Sequence, residues 1–288
     1  MKILIFGHGY LGQRCHGAWK DSVLTDVHVT SEESALAEIQ RHQPDVVFSA
    51  VGVKGKPNVD WCDAHPYETV QGNVLVPLLL AQACAKAGVY LLHLGSGCIF
   101  YGDSPHPDHA WRENDFGNPL PVYSRSKWAA DLVLSTMPNV GIARLRMPID
   151  HIPSSGNLID KVSSFSKVID VENSVTIIDD LMSVCHQLLE RQLPGLFHAT
   201  NPGIMKHRDL IELYRDLVNP SHTCEWISNN DLVAQGIVSK TRSNNILTSD
   251  RLIEAGIVMR PVSEALRDTM EKYARARRGE MIFCEFCS

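Results

Sequence analysis

Tyr123 and Lys127 stand four residues apart. On a helix that spacing places both side chains on one face. A phenol, with an ordinary pKa of about 10, and an ammonium one turn away can together move a proton. More than a hundred residues earlier, Gly7-His8-Gly9-Tyr10-Leu11-Gly12 follows directly on the apolar run Ile3-Leu4-Ile5-Phe6. Such a run suits a strand buried on both faces. Gly7 permits the turn out of it, Gly9 lets the backbone approach a pyrophosphate, and Gly12 lets the next helix pack on the sheet. The helix N-terminus then offers unpaired N–H groups and partial positive charge to phosphates. A lone Gly-x-Gly-x-x-Gly is often only a turn, but between a strand and a helix it reads as a dinucleotide cradle. Cradle and phenol–ammonium pair together imply hydride transfer from a nicotinamide with a proton donor beside it.

Holding these groups in register requires alternating strands and helices, and the first half of the chain supplies them. Helices are predicted over 11–19, 31–42 and 66–87, and a further helix carries Tyr123. Strands are predicted over 23–29, 45–51, 89–94 and 142–145, with a polar loop over 52–65. The alternation implies an α/β fold: a Rossmann-type doubly wound parallel sheet with a smaller C-terminal substrate lobe. Residues 1–150 form the NAD(P)-binding domain. A helix over 178–191 and a strand over 196–200 return the stretch 174–200 to it. Residues 151–173 and 201–275 build the substrate lobe, and 276–288 form a C-terminal tail. Ligands in such sheets lie at the carboxyl ends of the strands.

The chain has 288 residues and a formal net charge of −6. The acidic balance argues against non-specific nucleic-acid binding, which depends on neutralising phosphates. No apolar stretch approaches the roughly 20 residues of a membrane span, and Met1 to Phe6 is too short for a signal-peptide core. A cytoplasmic protein is expected. Its eight cysteines (Cys15, Cys62, Cys84, Cys98, Cys185, Cys224, Cys284 and Cys287) read as free thiols in a reducing compartment. Cys284 and Cys287 form a Cys-x-x-Cys without a second pair or a nearby histidine, so no zinc site is expected, nor any other metal.

Two sets of residues carry a family resemblance. Pro44-Asp45-Val46-Val47-Phe48-Ser49-Ala50, Glu113-Asn114-Asp115 and Asn118-Pro119-Leu120-Pro121-Val122-Tyr123-Ser124-Arg125-Ser126-Lys127 resemble the extended short-chain dehydrogenase/reductases, and among them the dTDP-4-dehydrorhamnose reductases. A second set is similar to the bifunctional UDP-4-keto-6-deoxyglucose 3,5-epimerase/4-reductases that make UDP-rhamnose. It comprises Gly55-Lys56-Pro57-Asn58-Val59-Asp60-Trp61-Cys62, Gly97-Cys98-Ile99-Phe100, Arg146-Met147-Pro148-Ile149, Asn173-Ser174-Val175-Thr176-Ile177, Thr200-Asn201-Pro202-Gly203 and Arg242-Ser243-Asn244-Asn245.

That resemblance implies reduction of a sugar C4 ketone. Tyr123 would protonate the nascent alkoxide, Lys127 would favour its phenolate and hold the nicotinamide ribose, and Ser96 would hydrogen-bond the carbonyl oxygen. Where simple reductases read Ser-Thr-Asp-Tyr-Val-Phe, this chain reads Gly95-Ser96-Gly97-Cys98-Ile99-Phe100. The cysteine resembles the epimerisation base of GDP-fucose synthase and the bifunctional rhamnose enzymes. Beside a positive charge its thiol becomes a thiolate. Lys161 matches the partner acid across a one-residue gap. Gly7, Gly9, Tyr10, Leu11, Gly12, Ala50, Val51, Gly52 and Asn73 are expected at the cofactor, with Tyr123 and Lys127. Asn58, Arg242, Asn244 and Asn245 are expected at the substrate, Arg being suited to bidentate phosphate recognition.

The second strand's end reads Val29-Thr30-Ser31-Glu32, with no acid at its tip for the ribose hydroxyls and no Arg for a 2′-phosphate. Family habit implies NADPH, with NADH possible. The resemblance further implies a nucleotide-sugar substrate, a homodimer pairing through 66–87 and 123–137, and a separate upstream 4,6-dehydratase. A reductase without epimerase activity, and a non-catalytic dinucleotide-binding regulatory subunit, stay open as alternatives.

Overall fold

Alternate side chains of the first strand enter two different apolar layers. Ile3 and Ile5 pack into one, Leu4 and Phe6 into the other, which commits this strand to the middle of a sheet covered on both faces. The computed structural model describes residues 1–56, 58–237 and 243–280; Arg242, Cys284 and Cys287 lie outside them. Its main sheet contains β1 (Ile3–Phe6), β2 (Ser22–Thr25), β3 (Val46–Ser49), β4 (Tyr90–Ser96), β5 (Val140–Leu145) and β6 (Gly195–His198). All pairs are parallel, in the order β6-β5-β4-β3-β1-β2. Helices Tyr10–Ala18 and Ile178–Arg191 cover one face, and Glu32–His42, Val76–Ala87 and Val122–Leu134 the other. The direction of winding reverses between β1 and β3, and a cleft opens there at the carboxyl ends.

Three elements differ most from the sequence expectation, each for a local reason. The second strand stops at Thr25 rather than running to 29. The Thr25 hydroxyl donates to Glu38 at 2.8 Å and accepts from the Val27 N–H at 3.1 Å, which turns the chain out of the ladder. The helix predicted over 66–87 is α-helical over Pro66–Val70, π-helical over Gln71–Leu75 and α-helical again over Val76–Ala87. Pro77 has no N–H to give the preceding turn, and the wider turn accommodates that loss. The loop predicted over 52–65 contains a short helix, Asp60–Ala64, whose first N–H is taken by Asn58 Oδ1 at 2.8 Å.

The second lobe packs helices Leu158–Ser164, His207–Leu217 and Val262–Arg277 around Ile159, Val175, Leu210, Met270 and Tyr273. Within 201–275, Leu252, Ile257 and Met259 pack instead with the main sheet's apolar layer, and the last helix continues to Arg277. Among the described residues no helix is long and apolar enough to cross a membrane, and the six described cysteines are free thiols.

Behind β4 and β5 lies an ion pair without solvent exposure. Arg144 Nε donates to Asp131 Oδ2 at 2.8 Å, and its guanidinium stands 5.2 Å from the centre of the Trp128 ring. Removing one partner of such a pair strands the other charge in a dry interior, which costs far more than the pair contributes when intact. Asp131→Ala should therefore lower unfolding free energy by about 3–5 kcal/mol, read from urea denaturation by circular dichroism. Replacing both partners with apolar residues should recover part of that loss.

Candidate active site

The glycine loop leaves β1 where β3 ends. Gly7 adopts φ +105°, and a Cβ there would stand 2.6 Å from the Ala50 carbonyl carbon. At Gly12 a Cβ would approach the Gly7 oxygen to 2.0 Å, so any other residue would push helix Tyr10–Ala18 off the sheet. Gly9 precedes that helix, and a Cβ there would meet nothing within 4 Å. Open space above free helix N–H groups fits a pyrophosphate. Leu11 and Ala50 turn their side chains into one apolar layer and Val51 into the other, leaving main-chain groups toward the cleft. Tyr10 commits its hydroxyl to Asp150 Oδ2 at 2.5 Å.

Asn73, fully buried on the π turn, clamps the loop after β3. Its Oδ1 accepts from the Val53 N–H at 2.7 Å, and its Nδ2 donates to the Val53 carbonyl at 2.9 Å and to Ser126 Oγ at 3.0 Å. Both amide hydrogens are thereby used, so the side chain joins the Gly52 loop to the Tyr123 helix. Asp63 caps that helix, accepting from the Val122 N–H at 2.9 Å.

Lys127 is buried under β4. Its Nζ donates to the Leu94 carbonyl at 2.7 Å and lies 3.0 Å from His93 Nε2. An ammonium can only donate, so Nε2 is the acceptor and Nδ1 carries the proton toward Ser49 Oγ, 3.0 Å away. Burial, and then the Lys127 charge, hold His93 well below the usual imidazole range. Burial brings Lys127 itself down to about 8, with Asp131 opposing the drop.

Tyr123 stands on the same helix, and its phenol is raised above the ordinary value, first by burial and next by Cys98, while hydrogen bonding from Ser96 acts in the opposite direction. The Lys127 ammonium thus anchors to the strand, and Ser96 is the group that favours the phenolate. A phenol held protonated at neutral pH can donate to a developing alkoxide.

Ser96 is the last residue of β4, and its Oγ accepts from the Cys98 N–H at 3.2 Å. Cys98, half-buried, has Arg146 Nη1 3.2 Å from its Sγ. Asn245 is buried and turned to the same loop: its Nδ2 donates to the carbonyls of Gly97 at 3.2 Å and Phe100 at 3.0 Å. Asn244 Oδ1 accepts from Asn173 Nδ2 at 3.2 Å. Asn245 thus shapes the cysteine loop from the second lobe, while Asn244 meets Asn173. Asn58 remains exposed at the start of helix Asp60–Ala64. Lys161 is half-buried on helix Leu158–Ser164; burial, then Lys54, hold its ammonium below the ordinary range. Lys54 extends the loop after β3, so Lys161 faces that loop from the second lobe.

Asp150, His151 and Asp179 bring potential metal-ligand atoms within 4.8 Å of one another. Arg14 already provides their positive charge, at 2.7 Å from Asp150 and 3.2 Å from Asp179. With the Tyr10 hydroxyl, this network ties the glycine-loop helix to helix Ile178–Arg191 and to Asp150, whose carbonyl accepts from Asn157 Nδ2 of the second lobe at 2.6 Å.

Sequence reasoning missed His93, Ser49, Arg146 as a neighbour of Cys98, and Asp26. Only Asp26 carried a usable signal. Because β2 ends at Thr25, Asp26 and not Val29 occupies its tip; its carboxylate is 91% exposed and 3.1 Å from His8 of the glycine loop. A carboxylate there favours ribose hydroxyls and repels a 2′-phosphate.

Two measurements follow from this geometry. Since the ammonium is the acid form, raising pH through about 8 removes it, and kcat/KM for reduction should carry a descending limb there, well below the ordinary lysine range. A profile flat to pH 10 would exclude a role for that charge. Asp26→Ala should raise kcat/KM for NADPH relative to NADH, measured by initial rates with each.

The RmlD substrate binding domain model matches residues 1–274. The bifunctional dTDP-4-dehydrorhamnose 3,5-epimerase/reductase of Arabidopsis thaliana is 36% identical over 250 residues, 85% of this chain and 82% of that one. The chain also matches trifunctional Arabidopsis proteins joining a UDP-glucose 4,6-dehydratase to an epimerase and a reductase, but spans only 41–42% of their length. The crystal structure of the L780 UDP-rhamnose synthase of Acanthamoeba polyphaga mimivirus superposes with TM-score 0.87 at 30% identity, covering 94% of this chain and 99% of that one. A dTDP-4-dehydrorhamnose reductase of Bacillus anthracis, solved with NADP, shares the fold with TM-score 0.78 at 16% identity, covering 95% and 99%. The chain belongs to the RmlD substrate binding domain family and is an extended short-chain dehydrogenase/reductase enzyme related to the rhamnose-forming reductases and epimerase/reductases.

Proposed function

We propose that this enzyme epimerises a nucleotide-linked 4-keto-6-deoxyglucose at C3 and C5 and then reduces its C4 ketone, forming the L-rhamnose nucleotide. The nucleotide is UDP and the reductant NADPH, with NADH admissible beside Asp26. The observation that carries the reading is a half-buried thiol at Cys98, just past the end of β4, whose N–H donates to Ser96 Oγ at 3.2 Å and whose sulfur has Arg146 Nη1 3.2 Å away. A simple reductase has no use for that thiol.

Bound over the glycine loop, the dinucleotide supplies a hydride. The protein's own groups do the rest. Ser96 hydrogen-bonds the C4 oxygen, and Tyr123, held protonated, gives its proton to that oxygen as the alkoxide develops. Lys127 holds the nicotinamide ribose while its other donors grip Leu94 and His93. Before reduction, the Cys98 thiolate takes the proton from C3 or C5. The C–H electrons move into an enolate with its charge on O4, and Lys161 returns a proton from the opposite face. Arg242 and Asn58 bind the nucleotide end.

A homodimer is supported by an apolar surface on adjacent helices, where Tyr67, Val70, Leu75, Leu132 and Val133 are exposed. A separate 4,6-dehydratase generates the 4-keto sugar, and the free thiols suit a reducing cytoplasm.

The test is incubation with un-epimerised UDP-4-keto-6-deoxyglucose and NADPH in D2O, without other protein, followed by NMR of the product. Deuterium at C3 and C5 of a rhamnose nucleotide is expected. Cys98→Ser should lose that exchange and still reduce a ketone epimerised beforehand. No exchange by the wild type would leave a reductase alone.

A further inference from the structure

Arg146 follows β5, and its side chain is 1% exposed. Its Nη1 lies 3.2 Å from Cys98 Sγ and 3.5 Å from Ser243 Oγ. Its Nη2 donates to the Ser243 carbonyl at 2.5 Å and to Asn173 Oδ1. These oxygens are neutral, and among the described residues no carboxylate pairs with this guanidinium. A guanidinium stays charged at any working pH, and burying one without a counter-charge is strongly unfavourable. The titratable groups that raise its affinity for its proton are the Cys98 thiol and the Tyr101 phenol. A thiol ionises near 8.5 and a phenol near 10, so the thiol is the cheaper source of negative charge.

We propose that Arg146 is the resident counter-cation of a Cys98 thiolate, and so a positioning residue for the base. The partner of the sulfur during deprotonation is then a fixed, non-titrating charge at the end of β5. Lys161 on the second lobe is left free to serve as the acid. Two further groups face this pair: Tyr123 on the helix beside Cys98, and His207, which the Arg146 charge holds below the ordinary imidazole range after burial has lowered it. The arrangement depends on both lobes. Arg146 comes from the sheet, while Asn173 and Ser243 hold its Nη2. Asn245 ties the strip around Ser243 to the Gly97 and Phe100 carbonyls, so the charge and the cysteine loop are set by one strip of chain. The inference rests on the proposed epimerase chemistry only for its purpose, since Arg146 stands 3.2 Å from the sulfur with no sugar bound.

The experiment uses the whole 288-residue chain without substrate. Iodoacetamide alkylation of Cys98 is timed from pH 5 to 10, with the Cys98 peptide separated from the other seven by mass spectrometry. The expected rate rises with a midpoint at least about one pH unit below the ordinary thiol value of about 8.5. Arg146→Gln should move that midpoint up by about one unit or more, a tenfold loss of thiolate at neutral pH, while Arg146→Lys keeps most of the depression. A wild-type midpoint at or above the ordinary value overturns the proposal without any variant, should Arg146→Gln fail to fold. Equal midpoints in wild type and a folded Arg146→Gln also overturn it. A depressed, Arg146-dependent midpoint in a protein that exchanges no deuterium into the sugar would leave the ion pair standing and remove the epimerase reading alone.

Discussion

Burial of the Lys127 ammonium is the constraint on which the rest of this site depends. A dry cation must be surrounded by acceptors or lose its proton. Here the Leu94 carbonyl and His93 Nε2 supply them, and both belong to β4. The helix that carries Tyr123 is therefore pinned to the strand that ends in Ser96. Asp131, one turn further along that helix, adds negative charge behind the ammonium and is itself balanced by Arg144 on β5. Two cations and one carboxylate thus alternate through the interior beneath the phenol. Phenol and serine meet because the charges below them allow little other arrangement.

The second lobe performs a comparable task for the cysteine. A short parallel ladder between Ala110–Trp111 and Ile246–Leu247 brings the strip around Ser243 to Asn245 over the loop after β4. Gly97 makes that approach possible, since a Cβ there would lie 2.6 Å from Leu247 Cδ1. The groups proposed for reduction stand on β4 and the helix packed against it, whereas the Cys98 loop is held by Asn245 from the second lobe. The Arg14, Asp150 and Asp179 network, with Tyr10, ties the lobe to the glycine-loop helix on the other side of the cleft. Cofactor cradle and substrate lobe are therefore mechanically joined at Tyr10, whose side chain serves this joint.

Local patterns made much of this legible in the chain. Ile3 to Phe6 and Val46 to Phe48 are buried apolar runs that suit central strands, and the helix expected near Ile178 to Arg191 is found there. Glycine spacing located the cradle, because a tight turn and a close helix approach require that residue type at those positions. The Tyr-x-x-x-Lys spacing put phenol and ammonium on one helical face. Element ends were harder to read, because side chains from elsewhere decide them: Glu38 stops β2 at Thr25, and Pro77 opens the π turn that buries Asn73.

The amino-acid sequence by itself determined the order of strands and helices, the cradle and the residue types available for proton transfer, since each rests on neighbours within a few positions. Tertiary structure alone decided which charges face which groups. His93 and Ser49 align behind Lys127 only because adjacent parallel strands share a register. Arg146 reaches Cys98 only because β4 and β5 end side by side. Electrostatic energy depends on distance and burial, and both are properties of the folded chain rather than of separation along it.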